Sequence, residues 1–325
     1  MIRQAGILVV LLLFGAGRLV AQQNRVDAVT PMAPDLAAYG PLSVGVRTIT
    51  ATDRNRVDVV NTKEGGPVAR YDRTLTVEVW YPASLAPGQP PAGVYRTVAR
   101  DPARATELHG RAVRDAAPAV PPAGGYPLVI VSHGYPGNRY LLSHLGENLA
   151  SKGFVVAAPD HPDSTYADQK AFASTLYNRP YDQLFVLDEL DRLSRPGSGS
   201  VLAGVADVSR TALIGYSMGG YGVLNTLGAG FSDTAVAGRN APPNRLLSDR
   251  AASNPAFARQ GDRRIKAAIA IAPYGGAAGA WDPDGLRAIT TPVLFVAGSA
   301  DDVVGYAKGV RALFLGATQS DRQER

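Results

Sequence analysis

The 325-residue sequence contains no cysteine. That absence excludes disulfides, thiolate metal ligands and cysteine nucleophiles together. Histidine is scarce: there are four, His109, His133, His144 and His161, and none of the 108 residues after Ser217 is one. The four follow no metal-ligand spacing, so no metal is expected. A basic stripe interleaved with aromatics is also lacking: the formal charge is only +5 and the arginines are scattered. That excludes nucleic acid as a partner. Finally, no apolar run reaches the roughly 20 residues a membrane-spanning helix needs.

What is present describes an ordinary globular protein, 46% apolar and 19% charged, long enough to build a core without staples. At the N-terminus Arg3 precedes an unbroken apolar run from Ile7 to Phe14, and small residues follow up to Ala21. This reads as a secretory signal peptide over residues 1–21, although Leu19 is larger than the residue usual three positions before a cut. A buried N-terminal helix is the alternative. The expectation is a secreted or periplasmic protein, and no cysteine at the junction means no lipoprotein anchor. Cleavage would remove Arg3 and Arg18 and lower the formal charge from +5 to +3. No stable membrane anchor is expected.

Residues 22–40 read as a flexible leader, and residues 41–325 as one domain. Val44 to Ala51 and Thr74 to Tyr81 are rich in β-branched and aromatic residues and predict strands. Residues 83–126, with prolines and glycines but no sustained period, predict a surface excursion. From Pro127 short apolar runs alternate with helical segments. Leu128–Val131, Phe154–Ala158, Thr211–Tyr216, Ile265–Ala272 and Val293–Ala297 predict strands. Asn138–Lys152, Tyr181–Leu193, a segment from Met218, and Tyr306–Gly316 predict helices. Wholly apolar strands alternating with helices imply an α/β fold, a mostly parallel sheet with helices on both faces. Ligands bind such sheets at the carboxyl ends of the strands. Residues 229–264 are too long for a simple connector and read either as a lip over the site or as a disordered insertion.

Three stretches lie at those strand ends. Gly215-Tyr-Ser-Met-Gly219 falls between an apolar strand and a helix, the context in which a Gly-x-Ser-x-Gly turn lifts a nucleophilic serine, Ser217, above the sheet. A glycine-rich turn with a plain helix cap is the bland alternative. Val131-Ser-His-Gly-Tyr-Pro-Gly137 follows the first fully apolar strand. Acyl transfer builds negative charge on a carbonyl oxygen, and the backbone N–H groups of Met218 and Tyr135 are the natural donors to it. Pro136 has no N–H, and His133 reads as a brace for the turn. Leu294-Phe-Val-Ala-Gly-Ser-Ala-Asp-Asp302 ends a third strand with a carboxylate placed to orient an imidazole. Asp301 fits better than Asp302, which is left to cap the succeeding segment.

On these residues the chain resembles the α/β-hydrolase superfamily, and within it the secreted dienelactone-hydrolase-like esterases, which also resemble platelet-activating-factor acetylhydrolases and polyester hydrolases. The resemblance also rests on Thr76-Val-Glu-Val-Trp-Tyr-Pro82, Arg179-Pro-Tyr-Asp182 and Phe185-Val-Leu-Asp188, and covers roughly residues 41–317. It implies an eight-strand-type sheet, a Ser-Asp-His triad, no cofactor, and hydrolysis of small-molecule or polymeric carboxylic esters. True dienelactone hydrolases use cysteine, so the serine points to the esterase-like branch. Oligomeric state is left open.

The resemblance places the histidine after the acid, and this sequence has none there. It also shows no last strand or helix beyond Gly316. Three readings stay open: a C-terminally incomplete chain, an upstream substitute in His161 of Asp160-His-Pro-Asp163, or an inactive binding relative or inert fragment.

Overall fold

The computed structural model describes residues 24–30, 32–169, 171–257 and 261–324. The signal-peptide reading of residues 1–21 lies outside them. Eight strands form the body of a single twisted sheet: β1 (Val44–Val57), β2 (Arg70–Ser84), β3 (Tyr126–Ser132), β4 (Val155–Pro159), β5 (Ala206–Tyr216), β6 (Ile265–Ile271), β7 (Val293–Val296) and β8 (Arg322–Glu324). Their spatial order is β8-β7-β6-β5-β3-β4-β2-β1, with two short pairings, Val113–Arg114 beside β1 and Ala117–Pro118 beside β2. β2 runs antiparallel to β1 and β4. From β4 through β3, β5, β6 and β7 to β8 every pairing is parallel.

The runs without alternation in β3 and β4 follow from burial on both faces. Leu128 and Ile130 join one apolar cluster with Val186, Leu187 and Leu190 of helix α2 (Phe172–Ser194) and Val223 and Leu224 of helix α3 (Met218–Thr226). Val129 and Val131 point the other way, into a second cluster with Trp80, Tyr140 and Ala150 of helix α1 (Ser143–Ser151). The expected helices on both faces are therefore in place. No described helix is long and apolar enough to cross a membrane.

Several expectations need correction. α2 begins at Phe172 rather than Tyr181 and runs through Pro180. Proline inside a helix removes the N–H that would bond the carbonyl four residues back. Here that carbonyl belongs to Leu176, and the Tyr221 hydroxyl of α3 donates to it at 3.0 Å. The excursion over residues 83–126 contains a hairpin, Gly93–Val98 with Ala105–Gly110. Tyr95 of this hairpin is fully buried; it accepts from Trp80 Nε1 at 2.8 Å and donates to Glu147 of α1. Three buried polar groups in series, Trp80, Tyr95 and Glu147, thus hold the hairpin to the body.

The leader is also tied down over its described residues. Asn24–Arg25 pairs with the hairpin, Asp27 bridges Arg25 and Arg111, and Asn148 of α1 donates to the Ala37 carbonyl. Lastly, the sheet does continue past β7. Arg322–Glu324 pairs in parallel with it, Val293 opposite Arg322. An edge strand is recruited by main-chain hydrogen bonds, so its polar sequence carries no apolar signal.

Candidate active site

β5 ends at Tyr216, α3 starts at Met218, and Ser217 alone makes the turn, with φ 53° and ψ −114°. A non-glycine residue there costs on the order of 1–3 kcal/mol and persists only where its surroundings enforce it. They do so on both sides: the Ser217 N–H donates to the Ile271 carbonyl at 2.8 Å, and its own carbonyl accepts from Tyr274 and Tyr221, both at 3.0 Å. The flanking glycines are required by close approach. A Cβ on Gly215 would lie 2.3 Å from the Gly219 carbonyl group, and one on Gly219 would lie 2.0 Å from the Ser132 oxygen. The Ser217 hydroxyl does not cap α3, and the residue is partly exposed.

The loop after β3 passes directly over this turn: a Cβ on Gly134 would touch the Ser217 Cβ at 3.3 Å. Tyr135 follows Gly134. Among the described residues neither the Tyr135 N–H nor the Met218 N–H is taken by another backbone group. The Tyr135 ring meets Phe172 edge-on at 5.2 Å, and Phe172 meets Tyr274 at 5.6 Å. Tyr274 links Ser217 to a cavity of about 190 Å³ lined by Tyr221, Phe231, Ala235, Leu247 and Ala280. Phe231, Ala235 and Leu247 belong to residues 229–264, so part of that segment contributes to the wall of this cavity.

Asp301 lies two strands from Ser217, just after β7, a lateral offset of ~10 Å at the usual strand spacing. Its side chain is half-buried, and Oδ1 accepts from the N–H groups of Val303 at 2.9 Å and Val304 at 3.0 Å. The capping role expected of Asp302 thus falls to Asp301; Asp302 is exposed.

The histidines lie on the other side. His161 follows β4, separated from β7 by β3, β5 and β6, which is ~19 Å at that same spacing. Both its ring nitrogens are engaged: Nδ1 with Asp182 Oδ2 at 3.0 Å and Nε2 with Ser132 Oγ at 2.9 Å. An ionised carboxylate only accepts, so Nδ1 carries the proton and Nε2 accepts from the serine. Burial first, then the Arg179 charge, holds the His161 imidazole at a pKa of about 3. His133 is likewise pushed well down by burial and Arg179, with Nδ1 on the Gly134 carbonyl at 2.7 Å and Nε2 on the His161 N–H at 3.2 Å. This is the bracing geometry. His109 sits in the hairpin and His144 in α1.

Residues 67–184 match the family described as platelet-activating factor acetylhydrolase, isoform II. A stretch of 99 residues, 30% of the chain, is 33% identical to Cutinase est2 of Thermobifida alba and covers 29% of that protein. Platelet-activating factor acetylhydrolase of Cavia porcellus is 31% identical over 138 residues, 31% of this chain and 32% of that one. The match therefore spans under a third of the length of these curated relatives. A solved structure, a ferulic acid esterase from Streptomyces cinnamoneus, superposes with a TM-score of 0.57 at 23% identity, over 94% of this chain and 76% of its own. The chain has the α/β-hydrolase fold.

Within this hydrolase fold, sequence reasoning missed one arrangement. Ser132, His161 and Asp182 form a complete serine–histidine–aspartate hydrogen-bond series, buried to within 1% of full enclosure. His161 and the Arg179-to-Asp182 stretch were each visible in the sequence. Their meeting was not, because Ser132, His161 and Asp182 come from three separate elements.

Proposed function

We propose that this chain is a serine-dependent carboxylic ester hydrolase that works through an acyl-enzyme. Ser217 Oγ attacks the ester carbonyl carbon, and its proton passes to a base. The oxyanion that forms is stabilised by the N–H groups of Met218 and Tyr135, each worth roughly 3–4 kcal/mol. The bond to the alcohol oxygen breaks, the alcohol leaves with a proton, and water then frees the acid and restores Ser217. Asp301 orients an imidazole: its Oδ1 is anchored by two amides, which sets the direction of Oδ2. The substrate is a small-molecule or polymeric ester whose apolar part enters the cavity beyond Tyr274. Residues 1–21 direct export.

The observation that carries this reading is the enforced left-handed Ser217, whose hydroxyl does not cap α3 and whose Cβ would lie 3.3 Å from a Cβ built on Gly134. The buried, doubly bonded His133 and His161 support neither as the base. These 325 residues thus leave the imidazole position beside Asp301 unfilled. Hydrolysis of a short p-nitrophenyl ester by this chain should be slow, should rise with added imidazole, and should vanish in Ser217→Ala. No Ser217-dependent turnover at any imidazole concentration would favour a ligand-binding relative.

A further inference from the structure

The loop that carries Tyr135 rests on a buried network that ester cleavage itself does not use. Arg73 grips Asp182 with two hydrogen bonds, Nε to Oδ1 at 2.8 Å and Nη2 to Oδ2 at 2.9 Å. Asp182 accepts from His161, and His161 accepts from Ser132. Arg179 Nη1 donates to Ser132 Oγ at 3.3 Å and also to the His133 carbonyl, while Nη2 donates to Ser164 Oγ. The Ser164 carbonyl in turn accepts from the Gly137 N–H at 3.2 Å. The loop is thereby held at residues 132, 133 and 137.

The last link sets a direction. His133 Nδ1–H donates to the Gly134 carbonyl, and the His161 main-chain N–H donates to His133 Nε2. In a trans peptide the C=O and N–H of one unit point oppositely. The Gly134 carbonyl faces His133, so the N–H of the same unit, that of Tyr135, faces away from it. A Cβ on Gly134 would lie 3.3 Å from the Ser217 Cβ, so this unit passes close to the nucleophile turn. A Cβ on Gly137 would lie 2.6 Å from His133 Nδ1, so the ring has little room to turn.

We propose that His133, held by the Arg179–Ser132–His161–Asp182 network, is a positioning residue that aims the Tyr135 N–H at the oxygen developing over Ser217. The inference rests on the ester-hydrolase reading. It gives the buried serine–histidine–aspartate series a task in geometry and none in bond breaking. Charge balance suits that task. Arg73, Arg179 and Arg56 stand against Asp182, Asp163, which Arg73 reaches at 3.2 Å, and Asp53, which Arg56 bridges, so His161 has no need to ionise.

The test uses the full chain, saturating imidazole to supply the base, and a fluorophosphonate, whose phosphoryl oxygen takes the place of the ester carbonyl oxygen. His133→Phe keeps the volume and removes the donor; His133→Asn restores an N–H. The limiting phosphonylation rate should fall at least 30-fold in His133→Phe, with the reversible binding constant within threefold of wild type, and His133→Asn should recover part of the loss. An unchanged limiting rate in a folded His133→Phe protein overturns the proposal. So does a loss confined to binding.

Should His133→Phe fail to fold, Ser132→Ala removes only one oxygen and should lower the limiting rate 5- to 10-fold; no change overturns the proposal. If the wild-type chain takes no label at all, the nucleophile reading fails instead. Amide exchange then decides the network alone. Exchange over residues 133–137 should be at least tenfold faster in Ser132→Ala than in wild type, with β3 and β5 unchanged, and equal exchange in the loop overturns it.

Discussion

Two serines of this chain end neighbouring parallel strands, and their surroundings are opposite. Ser132, at the end of β3, has a histidine and an aspartate in series but is sealed, with an arginine donating to its oxygen. Ser217, after β5, has strained dihedrals, a partly exposed position and unpaired amides nearby, but no histidine. Hydrogen-bond connectivity alone therefore does not mark a catalytic triad. A nucleophile needs access, a place for the oxyanion and a base, and Ser132 has only the last. Arg179 also opposes a charged His161, which a serine's proton would create.

The contrast can be broken most forcefully at the two serines. Ser217→Ala should abolish imidazole-assisted ester turnover, a loss of more than 10³-fold, whereas Ser132→Ala should retain measurable turnover. Equal losses would erase the distinction. The two aspartates come next. Asp182→Ala leaves Arg73 buried without its main partner and should cost about 3–5 kcal/mol in urea unfolding. Asp301→Ala, half-exposed and bonded only to its own turn, should cost about 1 kcal/mol while removing the response to imidazole.

The third contrast is in acid. His161 has a folded pKa of about 3 against an ordinary value of 6.5. Between those values the unfolded chain binds a proton that the folded chain does not. Stability is therefore full above pH 6.5 and falls as pH drops toward 3, by on the order of a few kcal/mol. His133, likewise held down in the folded state, adds in the same direction, and Asp182 joins only below its ordinary value of 3.8. Chemical denaturation at pH 7, 5 and 4 measures this, and His161→Asn should flatten the slope. The smallest effect on turnover belongs to Tyr221→Phe. It frees the Leu176 carbonyl beside Pro180 and should lower stability by about 1–3 kcal/mol, with ester turnover little changed.

Much of the strand-end architecture was legible because both faces of β3, β4 and β5 are covered, which writes unbroken apolar runs into the sequence. The Ser217 turn was legible because close approach at Gly215 and Gly219 leaves only glycine. Other features were hidden for identifiable reasons. Pro180 reads as a helix start, and its compensation, Tyr221, comes from α3. The hairpin is anchored by isolated contacts, Tyr95 in the core and the Asn138 amide on Thr97 and Val98, which make no periodic pattern. β8 pairs through its main chain, so its polar residues looked like a tail. The buried network draws Arg73, Ser132, His161, Arg179 and Asp182 from β2, β3, α2 and the loop after β4, and only the fold collects them.

The most direct measurement is peptide mapping of the 325-residue chain after prolonged reaction with a fluorophosphonate in the presence of imidazole. Trypsin separates the two serines, into residues 211–239 for Ser217 and 115–139 for Ser132. A phosphonyl adduct on Ser217, with Ser132 unmodified, is the expected result. An adduct on Ser132, or none on Ser217 at any imidazole concentration, would contradict the assignment of the open strand end as the reacting site.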